Sequence, residues 1–400
     1  MEEIAGGITA PSGFSAGAAE CGIKYNGRYD IALIVSEVPA HCAGIFTTNR
    51  IKAAPVLVSK EHVHNGIARA IIANSGNANT CTGEVGIESA MAMATETARL
   101  INCDPCDVLV ASTGVIGRTF PIKRVLKSLP DAFSNLSSGN DNKAALAIMT
   151  TDTVPKETAV SVDIGGVEVK IGAIAKGSGM ICPDMATMLC FITTDADIET
   201  SALRKSLRQA AEASFNCITV DGDMSTNDTV FILANGESGN STIRIRSKAY
   251  DTFTECLTHV CLKMAKEIVK DGEGATKFIT INIRGALGKE DARKAGYAIA
   301  NSQLVKTAFF GEDPNWGRII CAAGYSGVPV EEANITIIIN GFIVFENGIA
   351  VNFDEKELKN SMSQSDITLD IDLNIGKAET TIYTSDMSYD YIKINAQYTT

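Results

Sequence analysis

The chain has 400 residues, 45% of them hydrophobic and 20% charged, a composition of globular proteins that excludes disordered and collagen-like classes. At roughly 100–200 residues per domain, the length accommodates one large layered domain or two to three smaller ones around a substantial core. The formal charge of −12, from 47 acidic against 35 basic residues with no block of Lys and Arg, argues against a nucleic-acid partner.

Short β-rich runs alternate with helical stretches, which predicts a mixed α/β layered protein. In chain order, Ile31–Val35 and Ala70–Ala73 read as strands, Gly86–Ile101 as a helix and Val108–Ala111 as a strand. Val162–Ile164 and Val167–Ile174 flank Gly165-Gly166, the turn chemistry of a hairpin. Thr200–Phe215 and Ala249–Lys270 follow as helices. In the second, Leu257, Val260, Cys261, Met264 and Ile268 share one face, and Gly272 is the stop. Lys289–Leu304 reads as a further helix. Ile335–Ile339, Phe342–Phe345 and Ile349–Phe353, joined by Asn340-Gly341 and Asn347-Gly348, read as a three-stranded meander. No apolar run approaches the ~18 residues of a membrane span. The eleven cysteines are odd in number and scattered, and Met1-Glu2-Glu3-Ile4 opens no export signal; reduced thiols in the cytoplasm are the expectation.

Several familiar chemistries find no support. The four histidines, His41, His62, His64 and His259, lack the spacing of a zinc-protease helix, and His62-x-His64 reads as an exposed polar pair. Cys103-x-x-Cys106 lacks the second ligand pair of a zinc site, so no metal is expected. Gly13-Phe14-Ser15-Ala16-Gly17 has the G-x-S-x-G spacing of a hydrolase nucleophile, but Pro11 and paired glycines stand where a core strand is required. Neither a phosphate-binding loop nor a dinucleotide fingerprint follows any predicted strand, so no cofactor is expected.

One segment stands out. After the strand ending at Ala175, Lys176-Gly177-Ser178-Gly179 forms a basic, permissive loop, Pro183 directs the chain, and Thr187 sits at the start of the apolar run Met188–Ile192. By itself this is an ordinary turn or a rigidly held hydroxyl. The string from Lys176 through Met180-Ile181-Cys182-Pro183-Asp184-Met185-Ala186-Thr187-Met188-Leu189 resembles the self-cleavage signature of the ornithine acetyltransferase family, whose members cut between the corresponding Ala and Thr. The likeness extends along the chain through Gly7-Ile8-Thr9-Ala10-Pro11, Phe46-Thr47-Thr48-Asn49-Arg50, Asn74-Ser75-Gly76-Asn77-Ala78-Asn79 and Ser112-Thr113-Gly114-Val115-Ile116-Gly117. It continues in Met149-Thr150-Thr151-Asp152-Thr153, Asp271 to Lys277, Asp313-Pro314-Asn315-Trp316-Gly317-Arg318 and Ile394 to Thr400.

The resemblance implies two stacked sheets between helical layers, like self-processing aminopeptidases, with a smaller C-terminal α/β lobe from about residue 280. It implies cleavage between Ala186 and Thr187 into fragments 1–186 and 187–400 that stay associated, two of each forming a heterotetramer. The freed Thr187 is then a nucleophile with its own α-amine as base, which suits a chain without a Ser-His-Asp arrangement. By the same resemblance Thr113 and Gly114 form the oxyanion hole, and Thr150, Lys176, Thr187, Glu273, Asn395 and Thr400 bind substrate. The implied reaction moves acetyl from N-α-acetyl-L-ornithine to L-glutamate in a ping-pong sequence of arginine biosynthesis, with acetyl-CoA an open additional donor. The family usually has Asn at the position of Asp184, a departure expected to alter the cleavage rate. Two other classes stay open: a self-processing aminopeptidase or amidase with water as acceptor, and a self-cleaving protein without turnover.

Overall fold

Strand Ile31–Phe46 organises the first two-thirds of the molecule, which the computed structural model describes over residues 1–182 and 188–397. Its first half pairs with Phe14–Ala19 and Ile67–Asn74, and its second half with Thr229–Ala234. Between the halves lie Glu37, Val38 and Pro39, where the register against Ile67–Asn74 shifts and proline has no N–H to give the ladder. Arg69 occupies the irregularity, donating from Nε to Ser36 O at 3.1 Å and from a terminal nitrogen to Glu37 O at 3.1 Å. One continuous nine-stranded sheet thus supplies two layers. Its order is Glu2–Ile4, Lys156–Ile164, Val167–Lys176, Leu189–Thr194, Thr229–Ala234, Ile31–Phe46, Ile67–Asn74 and Val108–Ser112, with Phe14–Ala19 also on Ile31–Phe46.

Successive side chains of a strand point to opposite faces, and here both faces are covered. Ile34, Ile71, Leu109, Phe191 and Phe231 meet between the layers. Their neighbours Leu33, Ile72 and Val110 turn outward onto helices Ala54–His62, Gly83–Ile101 and Ile122–Ser134. On the other outer side, Ile192 and Ile232 pack against helices Thr200–Glu212 and Lys248–Lys270. Burial on both faces is why these strands read as continuous apolar runs. The stripe Leu257, Val260, Cys261, Met264 and Ile268 is fully buried there.

A separate six-stranded sheet begins at Phe278–Ala286, and its covered face carries Ile279, Ile281, Ile337, Leu369 and Ile371 beneath helices that include Lys289–Ala300 and Trp316–Gly324. The fold is therefore mixed α and β in two sheets, with this lobe as the smaller part.

Local expectations were refined in three places. The run Lys289–Leu304 is two helices, Lys289–Ala300 and Gln303–Phe310, because the Ser302 side chain accepts from Val305 N and starts a new helix. The last strand of the meander is only Ile349–Ala350. The pair His62-x-His64 is not an exposed pair: His62 is buried on a helix with Nδ1 2.7 Å from Val108 O, while His64 is exposed. Ser15 lies within strand Phe14–Ala19 opposite Val35, without the strand-to-helix turn of a hydrolase nucleophile. No helix among the described residues is long and apolar enough to cross a membrane.

The nearby Gly17 is required by packing. A Cβ there would stand 2.1 Å from the Ala132 carbonyl oxygen of helix Ile122–Ser134, so sheet and helix meet backbone to backbone. Gly17→Ala is expected to destabilise by about 1–3 kcal/mol, the range of overpacking. Urea unfolding monitored by circular dichroism checks this, and an unchanged midpoint would contradict it.

Candidate active site

Two strand ends, a loop and the C-terminal helix converge. Strand Val108–Ser112 delivers Thr113 and Gly114, and strand Val167–Lys176 ends on Lys176. The loop after helix Lys248–Lys270 carries Glu273, and the C-terminal helix Tyr389–Gln397 carries Asn395. Thr113, Gly114, Thr150, Lys176, Glu273 and Asn395 all line one cavity. Ala186, Thr187 and Thr400 lie outside the described residues. A roomier groove of about 810 Å³ opens on the outer face by Leu57, His64 and Met91, away from these side chains.

Gly114 has φ +132°, and a Cβ on it would lie 2.3 Å from Gly76 C and 2.5 Å from Asn77 N. Only glycine fits so close to that backbone. Thr113 N donates to Asn74 O at 2.9 Å, whereas the Gly114 N–H has no acceptor among the described residues. Lys176 Nζ donates to Thr150 Oγ1 at 2.7 Å and lies 3.5 Å from Thr113 Oγ1. With its oxygen accepting from the ammonium, the Thr113 hydroxyl keeps its proton for another acceptor. A hydroxyl and an N–H at one strand end are the donor set an oxyanion needs.

Behind the cavity wall sits a buried charge cluster. Asp152 Oδ1 accepts from Lys156 Nζ at 2.8 Å and from Gly177 N at 2.7 Å. Its Oδ2 accepts from Thr150 N at 3.0 Å and lies 3.9 Å from Lys176 Nζ. Lys156 Nζ also reaches Asp271 Oδ2 at 2.5 Å. Burial raises the Asp152 carboxyl, but the charges of Lys176 and Lys156 outweigh this and hold it at about 2. Burial lowers the Lys176 ammonium, opposed by Asp152 and then Glu273.

The loops with Gly179 and Glu273 fix each other. Ser178 Oγ donates to Asp271 O at 2.6 Å, and Glu273 N to Ser178 O at 2.9 Å. A Cβ on Gly179 would lie 2.5 Å from Glu273 Oε2, so glycine makes room for the carboxylate, whose Oε2 accepts from Asn395 Nδ2 at 2.7 Å. A cation and a carboxylate therefore enter one cavity beside an oxyanion-type donor pair. No cluster of three His, Cys, Asp or Glu that could hold a metal occurs among the described residues.

Reasoning from sequence missed Asp152, Lys156 and Asp271 as supports of Lys176. Asp152 stands two residues from Thr150 in Met149-Thr150-Thr151-Asp152-Thr153, which was a usable signal. Lys156 and Asp271 are 115 residues apart, and nothing local pairs them. Asp221 and Asp228 were also missed, since Asp221-Gly222-Asp223-Met224-Ser225-Thr226-Asn227-Asp228 reads as a polar loop between apolar runs.

A model of the ArgJ family matches residues 15–400. The chain belongs to the ArgJ family. Within it, a Symbiobacterium thermophilum protein called arginine biosynthesis bifunctional protein ArgJ is 48% identical over 402 residues, covering 100% of both chains. A Methanocaldococcus jannaschii protein called glutamate N-acetyltransferase is 46% identical over 413 residues, again covering 100% of both. Among solved structures, the arginine biosynthesis bifunctional protein ArgJ of Bacillus halodurans is similar with a TM-score of 0.51 and 39% identity, over 52% of this chain and 98% of that one.

Asp152→Asn removes the negative charge between two buried ammonium groups. It is expected to cost about 3–5 kcal/mol, as for breaking a buried ion pair from one side. Urea unfolding at neutral pH is the check; a loss under about 1 kcal/mol, the scale of an exposed pair, would show that the cluster is not electrostatically coupled.

Proposed function

We propose that this ArgJ-family enzyme is a glutamate N-acetyltransferase of arginine biosynthesis that cleaves itself between Ala186 and Thr187. It then carries acetyl from N-α-acetyl-L-ornithine to L-glutamate on the Thr187 hydroxyl. The observation that carries this reading is the single cavity in which Thr113 and Gly114 present unspent donors beside the charges of Lys176 and Glu273. Full-length relatives named for this activity and pathway support it.

In self-cleavage the Thr187 hydroxyl oxygen bonds to the Ala186 carbonyl carbon, the C–N bond breaks, and the hydroxyl proton ends on the Thr187 nitrogen. Water then hydrolyses the ester, giving a carboxylate on Ala186 and restoring the Thr187 hydroxyl beside the α-amine that the shift freed. That amine serves as the base that activates the hydroxyl. The hydroxyl attacks the acetyl carbonyl of acetyl-ornithine, ornithine leaves, and the acetyl ester is taken by the amine of glutamate. Each tetrahedral intermediate places its oxyanion against the Thr113 hydroxyl and Gly114 N–H, one good donor being worth about 3–4 kcal/mol. Lys176 supplies the cation for the α-carboxylate that donor and acceptor share, and Glu273, held by Asn395, the anion for the ornithine amine.

The cut leaves the fold in one piece. Val167–Lys176 before the bond pairs with Leu189–Thr194 after it, and Ile31–Phe46 pairs with Thr229–Ala234. Fragments 1–186 and 187–400 therefore share one sheet and one core, and two such pairs make the proposed cytoplasmic heterotetramer. The Bacillus halodurans chain matches over 98% of its length yet spans 52% of this one, the size of such a fragment. No cofactor is required. Acetyl-CoA as a second donor would enter through the same acetyl-Thr187, without a nucleotide-binding motif.

Incubation with acetyl-labelled N-α-acetyl-ornithine, with and without glutamate, tests the reading. Labelled acetylglutamate is expected only with glutamate, and labelled ornithine is expected to exchange into acetyl-ornithine without it, the mark of a ping-pong step. Acetate release that glutamate leaves unchanged would contradict a transferase and assign a hydrolase. Replacing the donor by acetyl-CoA in the same assay decides the second activity.

A further inference from the structure

The loop joining Ile218 to strand Thr229–Ala234 touches the proposed cleavage segment on both sides. Before the segment, Asp221 receives two consecutive N–H groups, Met180 N on Oδ2 at 2.7 Å and Ile181 N on Oδ1 at 2.9 Å. Val220 N and Thr219 Oγ1 both donate to Ile181 O, at 2.9 and 3.0 Å. Met180 holds φ +58°, unusual for a side chain of its size. After the segment, Met188 N donates to Asp228 Oδ1 at 3.1 Å, and Thr229 N to Met188 O at 3.1 Å. Met188 N is bonded to the carbonyl carbon of Thr187, so the Asp228 carboxyl stands one peptide unit from the proposed nucleophile.

The same loop is tied to the oxyanion strand. Asn227 Nδ2 donates to Ser112 O at 2.8 Å and to Ala78 O at 2.7 Å, while its Oδ1 accepts from Thr80 Oγ1 at 2.8 Å. The position of Thr113 and Gly114 is thereby fixed against both flanks of the scissile bond through a single ten-residue stretch, 219–228.

Asp228 is fully buried, and its Oδ2 has no hydrogen-bond partner among the described residues. Burial pushes its carboxyl well above the ordinary carboxylate range, opposed by the Met188 N–H and the charge of Lys176. An unpartnered buried carboxyl oxygen costs stability and calls for a functional reason.

We infer that Asp221 and Asp228 are positioning residues for self-cleavage, fixing the two flanks of the Ala186–Thr187 bond against the Thr113–Gly114 donors through the loop 219–228. This rests on the self-cleavage reading above. The two carboxyl groups have different tasks. Asp221 needs both acceptor oxygens, Oδ2 for Met180 N–H and the Tyr391 hydroxyl and Oδ1 for the Ile181 and Asp223 N–H groups, whereas Asp228 needs one acceptor, for Met188 N–H, and keeps a second buried polar atom.

The test follows conversion of freshly made precursor into two fragments by mass spectrometry and gel, for wild type, D221A, D221N, D228A and D228N. Loss of a hydrogen bond to a charged or buried acceptor corresponds to about tenfold or more in rate, and the alanine variants are expected to slow by at least that. D228N retains an oxygen for Met188 N–H and a polar atom in place of Oδ2, so it is expected within about threefold of wild type. D221N retains one acceptor oxygen where the Met180 and Ile181 N–H groups use two, and is expected between D221A and wild type.

Unfolding midpoints are compared on a Thr187→Ala background, where none of the chains is expected to cut. Rescue by D228N at a midpoint equal to that of D228A supports positioning, because a purely structural loss would move rate and midpoint together. Alanine variants that cleave at the wild-type rate, or D228N as slow as D228A, would overturn the inference. If the alanine variants do not fold, D221N decides alone: slowed cleavage supports positioning and unchanged cleavage refutes it. A wild-type chain that never cuts would instead remove the reading on which the inference rests.

Discussion

The buried cluster of Lys156, Asp152, Lys176 and Asp271 is the constraint on which the site depends. Charges removed from water are tolerated only when partnered, and here each carboxylate has an ammonium group and backbone or hydroxyl donors around it. Asp152 joins the Thr150 segment to the end of strand Val167–Lys176. Asp271 joins Lys156 to the loop that presents Glu273. The cluster therefore sets the distance between the cation and the anion of the cavity, and ties both to the rigid sheet.

That sheet would keep the molecule in one piece after the proposed cut in its interior. The strands on either side of the proposed cleavage point are antiparallel neighbours, and both faces of the surrounding sheet are packed with apolar side chains. A broken peptide bond releases none of those contacts. The proposed cut would supply an amine on the residue that bears the hydroxyl, which fits a chain whose four histidines do not line the cavity. His62, for instance, pairs with a strand carbonyl in the interior.

The fold was legible in the sequence where local chemistry determines it. Gly165-Gly166 and Asn340-Gly341 marked real hairpins, and apolar stripes marked long helices, because turn geometry and one-sided burial leave a periodic trace. It was less legible where a single polar residue decides a boundary, as Ser302 does. The two layers were expected only through resemblance, and the register shift between Val35 and Ala40 inside strand Ile31–Phe46 had no trace in that reading. The site divides in the same way. Motif strings placed Thr113, Gly114, Thr150, Lys176, Glu273 and Asn395, which the structure gathers from distant parts of the chain. The ion pair of Lys156 with Asp271 bridges more than a hundred residues, and loop 219–228 has no pattern to distinguish it from other polar turns.

Cleavage at Ala186–Thr187 is the claim on which the chemistry turns, and intact mass of freshly purified protein with N-terminal sequencing of any smaller piece tests it most directly. Two fragments are expected, the second beginning Thr187-Met188-Leu189. A single stable chain of 42.3 kDa would contradict the account and leave the cavity without its nucleophile.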